Sequence, residues 1–229
     1  MNKSTDYHDY VFCDGKLVGE FEDMYRKSAT TPWHQDEQAT WMDVRLTGEM
    51  LRDLGSFDEI HDFGCGTGHY LDLMVKQCLV AGGKGYGYDI SPTACDQAQN
   101  QFSHSTFSVL DLTDTERIAN SEQRTANSEK QSARLFMIRA TLWYVFPKLA
   151  IVIENIRNRM AGSDRLLVVQ NFPPLQNSFI GKDVLPNHLA LIDHFSRHFD
   201  IYRSIWYEDR LRAANDNWFI GIFSPKDLN

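Results

Sequence analysis

Asp62-Phe63-Gly64-Cys65-Gly66-Thr67-Gly68 is the stretch of sequence that decides the fold. The apolar run from Phe57 to Ile60 before it predicts a strand, and apolar residues at helical spacing after it predict a helix. Glycines at alternate positions leave a loop almost free of side chains, so that a ligand can lie against its backbone. Because the first amides of a helix have no partner within the helix, this strand, loop and helix predict a nucleotide-type cradle.

The spacing of the glycines separates two kinds of cradle. The dinucleotide fingerprint is Gly-x-Gly-x-x-Gly, whereas here the third glycine comes one residue earlier. Asp62 precedes the first glycine by two residues, and a carboxylate suits a cationic ligand better than one with two phosphates. The pattern resembles motif I of the class I S-adenosylmethionine-dependent methyltransferases. The resemblance implies that the methionine part of this cofactor lies along Asp62, Gly64, Cys65, Gly66 and Gly68.

Two further acids stand at the ends of the next predicted strands. The short strand 85–88 ends in Asp89, and the strand 106–110 ends at Asp111. An acid after the second strand can accept hydrogen bonds from both ribose hydroxyls. In the resembled family the acid after the third strand holds the adenine amino group, and its apolar neighbour packs on the ring. The resemblance thus adds Asp89, Ile90, Asp111 and Leu112 to the cofactor site. It covers residues 55–172 well and the flanks poorly.

The composition of the chain argues against several classes of protein. The 229 residues carry a formal charge of −8, which argues against a nucleic-acid backbone as the main partner. No apolar run reaches the roughly 20 residues that span a bilayer, and residues 1–10 lack the apolar core of a signal peptide. The four cysteines form no CxxC pair, so zinc and redox motifs are unsupported. We therefore expect a cytoplasmic protein, with its oligomeric state left open.

The order of predicted elements indicates an α/β fold. We expect a Rossmann-like, seven-stranded, mostly parallel sheet with helices on both faces and an antiparallel last strand. The remaining strands are predicted at 135–140, 165–172, 199–204 and 218–224, and helices at 149–160 and 185–198. A polar near-repeat at 119–132 carries no assigned chemistry.

The N-terminal residues 1–54 are predicted to form a hairpin, a lid and a packing helix, and residues 55–229 the methyltransferase domain. The hairpin turn is placed at Asp14-Gly15, and the packing helix at residues 37–54. In several small-molecule methyltransferases an N-terminal aromatic covers the sulfonium side of the cofactor. Trp33 is the candidate for this position, with plain packing as the alternative.

Ligands of open α/β sheets sit beyond the carboxyl ends of the strands, so the acceptor is expected after the fourth and fifth strands. After the fourth strand, Tyr144 is expected to reach the pocket and to act with the base in catalysis. Arg139 could clamp a phosphate or carboxylate of the acceptor, and a salt bridge is the equal alternative.

Amides and histidines follow the fifth strand. Gln170 and Asn171 could position hydroxyl groups of an acceptor. His188 is the candidate general base, because the ordinary pKa of histidine lies near neutrality. His194 and His198 share one helix face, but without a third ligand no metal is predicted.

The resemblance implies a methyltransferase that acts on a small polar acceptor, a sugar or nucleotide sugar, at a hydroxyl in preference to an amine. The chain is similar to bacterial sugar and nodulation-factor methyltransferases in its size and its Trp-containing N-terminal segment. One alternative is a catalytically inactive S-adenosylmethionine-binding module. Another is an NAD-dependent oxidoreductase, whose Tyr-x-x-x-Lys pair would here span Pro147. An RNA methyltransferase is disfavoured by the acidic charge.

Overall fold

The computed structural model describes residues 6–114, 133–174, 176–210 and 216–226. The strands in this part of the chain are β1 Phe12–Cys13, β2 Lys16–Leu17, β3 Phe57–Phe63, β4 Leu79–Asp89, β5 Ser105–Val109, β6 Arg134–Arg139, β7 Arg165–Phe172, β8 Phe199–Glu208 and β9 Asn217–Pro225. The α-helices there are α1 His8–Val11, α2 Phe21–Lys27, α3 Met42–Arg52, α4 His69–Cys78, α5 Pro92–Gln101, α6 Leu142–Val145, α7 Leu149–Asn158 and α8 His188–Ser196. Two 3-10 helices cover Pro32–Thr40 and Phe146–Lys148.

Strands β3 to β9 form one sheet in the order β5-β4-β3-β6-β7-β9-β8. Neighbouring strands are parallel except where β9 is involved, because β9 runs antiparallel to both β7 and β8. The predicted mostly parallel sheet with an antiparallel last strand is confirmed. The chain order reverses at β3, so the crevice of the fold lies beyond the carboxyl ends of β3 and its neighbours.

The sheet is buried on both faces. Consecutive residues 166–170 of β7 are all buried, as expected for a central strand with helices above and below it. Helices α7 and α8 pack on one face around Phe136 and Val168. Helices α3 and α4 pack on the other face around Met137 and Val169. The predicted helices on both faces are therefore present.

Several predicted boundaries are wrong. Strand β4 begins at Leu79, directly after α4, because this leucine satisfies either a helical or a strand pattern. Helix α3 begins only at Met42, since the 3-10 helix Pro32–Thr40 occupies the preceding residues. Helix α8 begins at His188, where the Asn187 side chain accepts hydrogen bonds from two backbone amides at 3.0 and 3.1 Å. Strand β8 extends to Glu208.

The predicted N-terminal hairpin is present. Strands β1 and β2 pair antiparallel, and Asp14 and Gly15 between them have φ angles of 48° and 72°. Two positive φ angles are what a tight type I′ hairpin turn requires. Beyond the hairpin, Met24 and Tyr25 of α2 pack in a small core with Ala94 of α5. The N-terminal segment is thus joined to the edge of the main sheet by apolar packing.

A carboxylate reinforces this junction. Glu22 of α2 accepts hydrogen bonds from the Ser91 hydroxyl at 2.6 Å and from the Thr93 hydroxyl and amide at 2.6 and 3.1 Å. These groups lie at the start of α5, where the helix dipole favours a negative charge. The hydrogen bonds from Ser91 and Thr93 lower the pKa of Glu22 from its ordinary value.

Replacing Glu22 with alanine should lower the free energy of unfolding by about 1–2 kcal/mol, because α5 loses charge-assisted hydrogen bonds. A carboxyl whose pKa is depressed in the folded state stabilises above its unfolded pKa, near 4.5, and this contribution is lost as the pH falls through the folded pKa. Urea unfolding at pH 7 and pH 4 measures both effects. Asp23→Ala is the matched control, since Asp23 pairs with Arg26 and Lys27 of its own helix. Equal losses in the two variants would contradict the prediction.

The near-repeat 119–132 lies outside the described residues. Across the described part of the chain, no helix has both the length and the apolar character needed to cross a bilayer.

Candidate functional site

The glycine loop after β3 is tied to the end of β4. The amides of Gly64 and Cys65 both donate to the Tyr88 carbonyl, at 2.7 and 3.0 Å. Gly64, Gly66 and Gly68 have φ angles of 75°, 53° and 84°, in the left-handed region that side chains disfavour. Glycine at alternate positions is therefore required by the backbone path of this loop.

Asp89 connects this loop to α5. Its Oδ2 accepts a hydrogen bond from the Gly66 amide at 2.9 Å, and its Oδ1 accepts one from the Ser91 amide at 3.0 Å. Only 8% of the residue is exposed. Burial raises the pKa of the Asp89 carboxyl, and the backbone hydrogen bonds oppose that rise. A carboxylate can accept about four hydrogen bonds, so Asp89 retains capacity for a further donor.

Asp62 is a buried carboxyl without a hydrogen bond among the described residues. It lies at the end of β3, opposite Gly87 of β4 and Met137 of β6, and is 2% exposed. Burial raises its pKa from 3.8 to about 7, a rise that Arg139 opposes and Asp89 assists. A buried acceptor with no donor is costly to the fold, so this position suits a cationic partner.

The acid predicted to follow the third strand occupies a turn. The Oδ1 of Asp111 accepts a hydrogen bond from the Thr113 amide at 2.8 Å. Leu112 is buried in the core, and its carbonyl accepts a hydrogen bond from Asn155 Nδ2 at 2.8 Å. Ile90 is 48% exposed and lines a cavity of about 350 Å³ beside α2.

The same cavity is lined by Phe21 and Glu22, which sequence reasoning did not assign to the site. No sequence signal pointed to these two residues, because their approach to Ile90 follows from how α2 docks. The structure thus places an aromatic residue and an exposed isoleucine around one cavity, and Ile90 directly follows Asp89 in the chain.

Gln35 and Tyr25 are a second pair of residues that sequence reasoning missed, and they lie against the glycine loop. Gln35 Oε1 accepts hydrogen bonds from the Thr67 amide at 2.8 Å and the Thr67 hydroxyl at 2.7 Å. Gln35 Nε2 donates to the Tyr25 hydroxyl at 3.3 Å. Tyr25 is buried, which raises the pKa of its hydroxyl. The N-terminal segment therefore covers the loop directly.

Trp33 and Tyr144 meet in the structure. Their ring centroids are 5.5 Å apart, and the Trp33 ring also lies 6.2 Å from that of Tyr25. Trp33 and His34 have φ angles of 52° and 50°, which non-glycine residues rarely adopt. The predicted lid aromatic and the predicted pocket aromatic thus form one cluster above the loop. Burial raises the pKa of the Tyr144 hydroxyl.

Arg139 makes the salt bridge that the sequence left open as the alternative. Its Nε and Nη2 lie 2.8 and 2.7 Å from Asp43 Oδ2, and its Nη1 donates to Gln38 Oε1 at 2.6 Å. The guanidinium also lies 4.9 Å from the Tyr70 ring centroid and 5.6 Å from that of Trp218. Because protein groups surround it, Arg139 holds α3 to the sheet, and the acceptor clamp predicted for it is not supported.

Asn171 is also engaged by the protein. Its side chain donates to Asp216 at 2.9 Å, and its carbonyl accepts from the Trp143 indole at 3.0 Å. Gln170 donates its Nε2 to the Asn171 carbonyl at 3.1 Å, which orients the amide. Gln170 Oε1 is buried and has no partner among the described residues. Of the two predicted amides, Gln170 is the one with an open acceptor.

His188 is the first residue of α8 and lies flat against the sheet. Its ring stacks on Trp206 with centroids 4.1 Å apart, and lies 6.2 Å from Phe219. Burial lowers the pKa of His188, and its Nδ1 has no partner in the described part of the chain. Phe219 pairs directly with both Gln170 and Trp206 across the sheet. Since paired residues share a face, His188 and Gln170 lie on the same side of the sheet.

The structure therefore forms two groups near the crevice. Tyr144 lies in the aromatic cluster with Trp33, whereas the His188 ring stacks on Trp206. No contact joins the two predicted catalytic residues among the residues described. Trp143, adjacent to Tyr144 in α6, packs against Phe172 on the His188 side.

Comparison with known proteins gives a clear result for the fold. No family model matches the chain. No curated protein matches it either. A solved structure from work on the conversion of a disulfide bond into a thioacetal group during echinomycin biosynthesis aligns with a TM-score of 0.63 and 15% identity, over 90% of this chain and 91% of the other. The N-methyltransferase NodS from Bradyrhizobium japonicum WM9, in complex with S-adenosyl-L-homocysteine, aligns with a TM-score of 0.61 and 13% identity, over 86% and 93%.

The chain has the class I methyltransferase fold. This confirms the fold implied by the glycine loop. A third similar structure is the [4+2]-cyclase SpnF, with a TM-score of 0.56 and 14% identity over 79% of this chain and 80% of SpnF. Because identities of this size establish the fold alone, the reaction has to be argued from the site.

Proposed function

We propose that this chain is an S-adenosylmethionine-dependent methyltransferase that acts on a small polar acceptor. The observation that carries the proposal is the buried carboxyl of Asp62, whose pKa burial raises to about 7, beside the glycine loop of this fold. The methionine part of the cofactor has an ammonium group, which would give this carboxylate a charged hydrogen-bond donor. The cofactor supplies a methyl group on a sulfonium, ready for transfer to a nucleophile.

The other residues at the crevice fit the same cofactor. Asp89 would accept hydrogen bonds from the ribose hydroxyls, in addition to those that its two oxygens accept from the Gly66 and Ser91 amides. Asp111 would hold the adenine amino group, with Ile90 and Leu112 beside the ring. The electron-rich faces of Trp33 and Tyr144 favour a cationic sulfonium and exclude water.

We place the acceptor near Gln170 and His188. The Oε1 of Gln170 and the Nδ1 of His188 are buried and unpartnered in the described chain, so both suit an acceptor that brings hydrogen-bond donors. The Trp206 ring beneath His188 offers an apolar wall. These features support a hydroxyl- or amine-bearing acceptor, a sugar or nucleotide sugar. A cytoplasmic location is part of the same proposal.

His188 is the proposed general base. Because burial lowers its pKa, the imidazole is neutral at pH 7 and able to accept a proton from a hydroxyl or an ammonium. Methyl transfer also requires donor and acceptor to be aligned, which the stacked His188 and Trp206 rings assist by restricting the acceptor.

The first test is calorimetric titration with S-adenosylmethionine, S-adenosylhomocysteine and NAD in parallel. Micromolar binding of the first two, without NAD, is expected. NAD binding alone would favour the oxidoreductase, and binding of no compound would refute the proposal. An acceptor screen for release of S-adenosylhomocysteine follows, starting with nucleotide sugars and amines. Binding without turnover across the screen would favour the inactive module.

Once the screen has identified an acceptor, His188→Ala should lower kcat by about 10²–10⁴-fold and leave the affinity for S-adenosylhomocysteine unchanged. The wild-type rate should rise with pH through the lowered pKa of His188, and the variant should lose this dependence. His194→Ala is the matched control, because His194 lies on the same helix and its Nε2 is 3.2 Å from the Val184 carbonyl oxygen. Normal turnover in His188→Ala would remove the residue as base.

A further inference from the structure

Gln35 is the one side chain of the described N-terminal segment that hydrogen-bonds the glycine loop itself. Its Oε1 accepts from both the amide and the hydroxyl of Thr67, while its Nε2 donates to Tyr25. An added Cβ on Gly66 would collide with the Gln35 amide and lie 2.7 Å from the Tyr25 hydroxyl. The face that the loop leaves bare is therefore filled by the protein's own residues.

The Gln35 oxygen occupies the position of an anionic ligand. The Thr67 amide lies just before α4, where free N–H groups and the helix dipole favour a negative charge. In the cofactor, the group of matching chemistry is the carboxylate of the methionine part. Resting on the proposed function, we infer that Gln35 is a placeholder that occupies this carboxylate position and has to leave before the cofactor binds.

The exchange is favourable on electrostatic grounds. A carboxylate makes stronger hydrogen bonds with the Thr67 donors than the neutral amide oxygen of Gln35 does. Tyr25 and Thr67, the two partners of Gln35, also line a cavity of about 550 Å³ with polar and apolar walls, which Thr31 and Pro32 of the same segment border. The polar side chains on its walls can accept hydrogen bonds from the released amide.

The backbone beside Gln35 is suited to such a movement. Trp33 and His34 hold left-handed φ angles of 52° and 50°, a strained arrangement that persists only while its contacts hold it. Gln38 stabilises it by donating to the Trp33 carbonyl at 3.0 Å. When Gln35 leaves Thr67, the strained segment loses its hydrogen bonds to the glycine loop. It keeps the hydrogen bond from Gln38 to the Trp33 carbonyl.

Only molecules in which Gln35 has left the carboxylate position can bind the cofactor. The apparent affinity is therefore the intrinsic affinity multiplied by the fraction of such molecules. Gln35→Ala should therefore bind S-adenosylhomocysteine about tenfold more tightly than wild type by calorimetry. In stopped-flow measurements the observed binding rate of wild type should level off as ligand concentration rises, whereas that of Gln35→Ala should keep rising. Thr40→Ala, at an exposed position of the same 3-10 helix, is the control and should match wild type.

The outcomes are distinguishable. Weaker or unchanged binding by Gln35→Ala, with wild type binding normally, overturns the placeholder and leaves the proposed function standing. Absence of binding in both proteins, each folded by circular dichroism, refutes the proposed function and the placeholder together. If Gln35→Ala does not fold, Gln35→Asn, which shortens the side chain by one methylene and keeps the amide, should tighten binding in the same direction, and failure to do so overturns the inference.

Discussion

Replacing Asp62 with asparagine is expected to stabilise the folded chain at pH 8 and to remove most of its affinity for S-adenosylhomocysteine. The carboxyl is buried, and its pKa of about 7 exceeds its ordinary value of 3.8. A group whose pKa is raised by folding stabilises below its unfolded pKa, and this contribution is lost as the pH rises through the folded pKa. Above pH 7 the wild type therefore bears the cost of a buried charge, which asparagine removes.

The expected gain in stability is about 2 kcal/mol at pH 8. The shift of roughly three pKa units bounds the gain at about 4 kcal/mol, and relaxation around the site reduces it. The loss of affinity should be about 10- to 100-fold, because an ammonium group loses a charged partner. Wild-type affinity should also rise between pH 6 and pH 8, as Asp62 ionises, whereas the affinity of the variant should be flat.

Thermal unfolding at pH 5 and pH 8, together with calorimetry across the same range, measures these effects. Asp164→Asn is the control, since Asp164 is equally buried but forms an ion pair with Arg134 at 2.6 Å. That variant should be destabilised at both pH values. A lower melting temperature for Asp62→Asn than for wild type at pH 8 would show that the carboxyl has a partner in solution and would contradict the prediction.

Replacing Asp89 with alanine should have the opposite effect on stability and a similar effect on binding. Removal of the carboxylate leaves the buried amides of Gly66 and Ser91 without an acceptor, at a cost of about 1–3 kcal/mol each. Relief of a buried charge offsets part of this cost, so the expected net loss is about 2–4 kcal/mol. Affinity for S-adenosylhomocysteine should fall by at least 100-fold, since the ribose ligand is lost and the loop loses its Gly66 hydrogen bond to the end of β4.

Urea unfolding and calorimetry measure both effects, and Asp89→Asn separates their causes. Asparagine keeps one acceptor oxygen, so it should recover about half of the lost stability but little of the affinity. If Asp89→Ala proved as stable as wild type, the loop would not depend on this carboxylate. Unchanged affinity in folded Asp89→Ala would remove Asp89 from the cofactor site.

Much of the fold was predictable because its signals are local. The glycines at 64, 66 and 68 indicate a loop whose backbone needs positive φ angles, and each of them has a positive φ in the structure. Asp14-Gly15 predicts its hairpin for the same reason. Acids at strand ends meet at one edge of a parallel sheet, so alternation of strands and helices was enough to bring Asp62 and Asp89 to the crevice.

Other features could not be predicted because they join residues that are distant in sequence. Arg139 was as compatible with an acceptor as with a salt bridge, and only the docking of α3, which brings in Asp43, decides between them. Likewise, Gln35 has no sequence signal of its own, and its position on Thr67 depends on how the N-terminal segment folds back.

The sequence by itself determined the alternation of strands and helices, the glycine loop and the acids at the strand ends, because backbone conformation and hydrophobic pattern are properties of neighbouring residues. Tertiary structure alone decided which polar side chains form hydrogen bonds with one another and which have atoms without a hydrogen-bond partner. Among the described residues, Gln170 Oε1 and His188 Nδ1 are buried without a hydrogen-bond partner, whereas Asp43 and Gln38 engage Arg139 and Asp216 engages Asn171. The physical reason is that a hydrogen bond depends on three-dimensional distance and direction, which the sheet and its covering segments establish together.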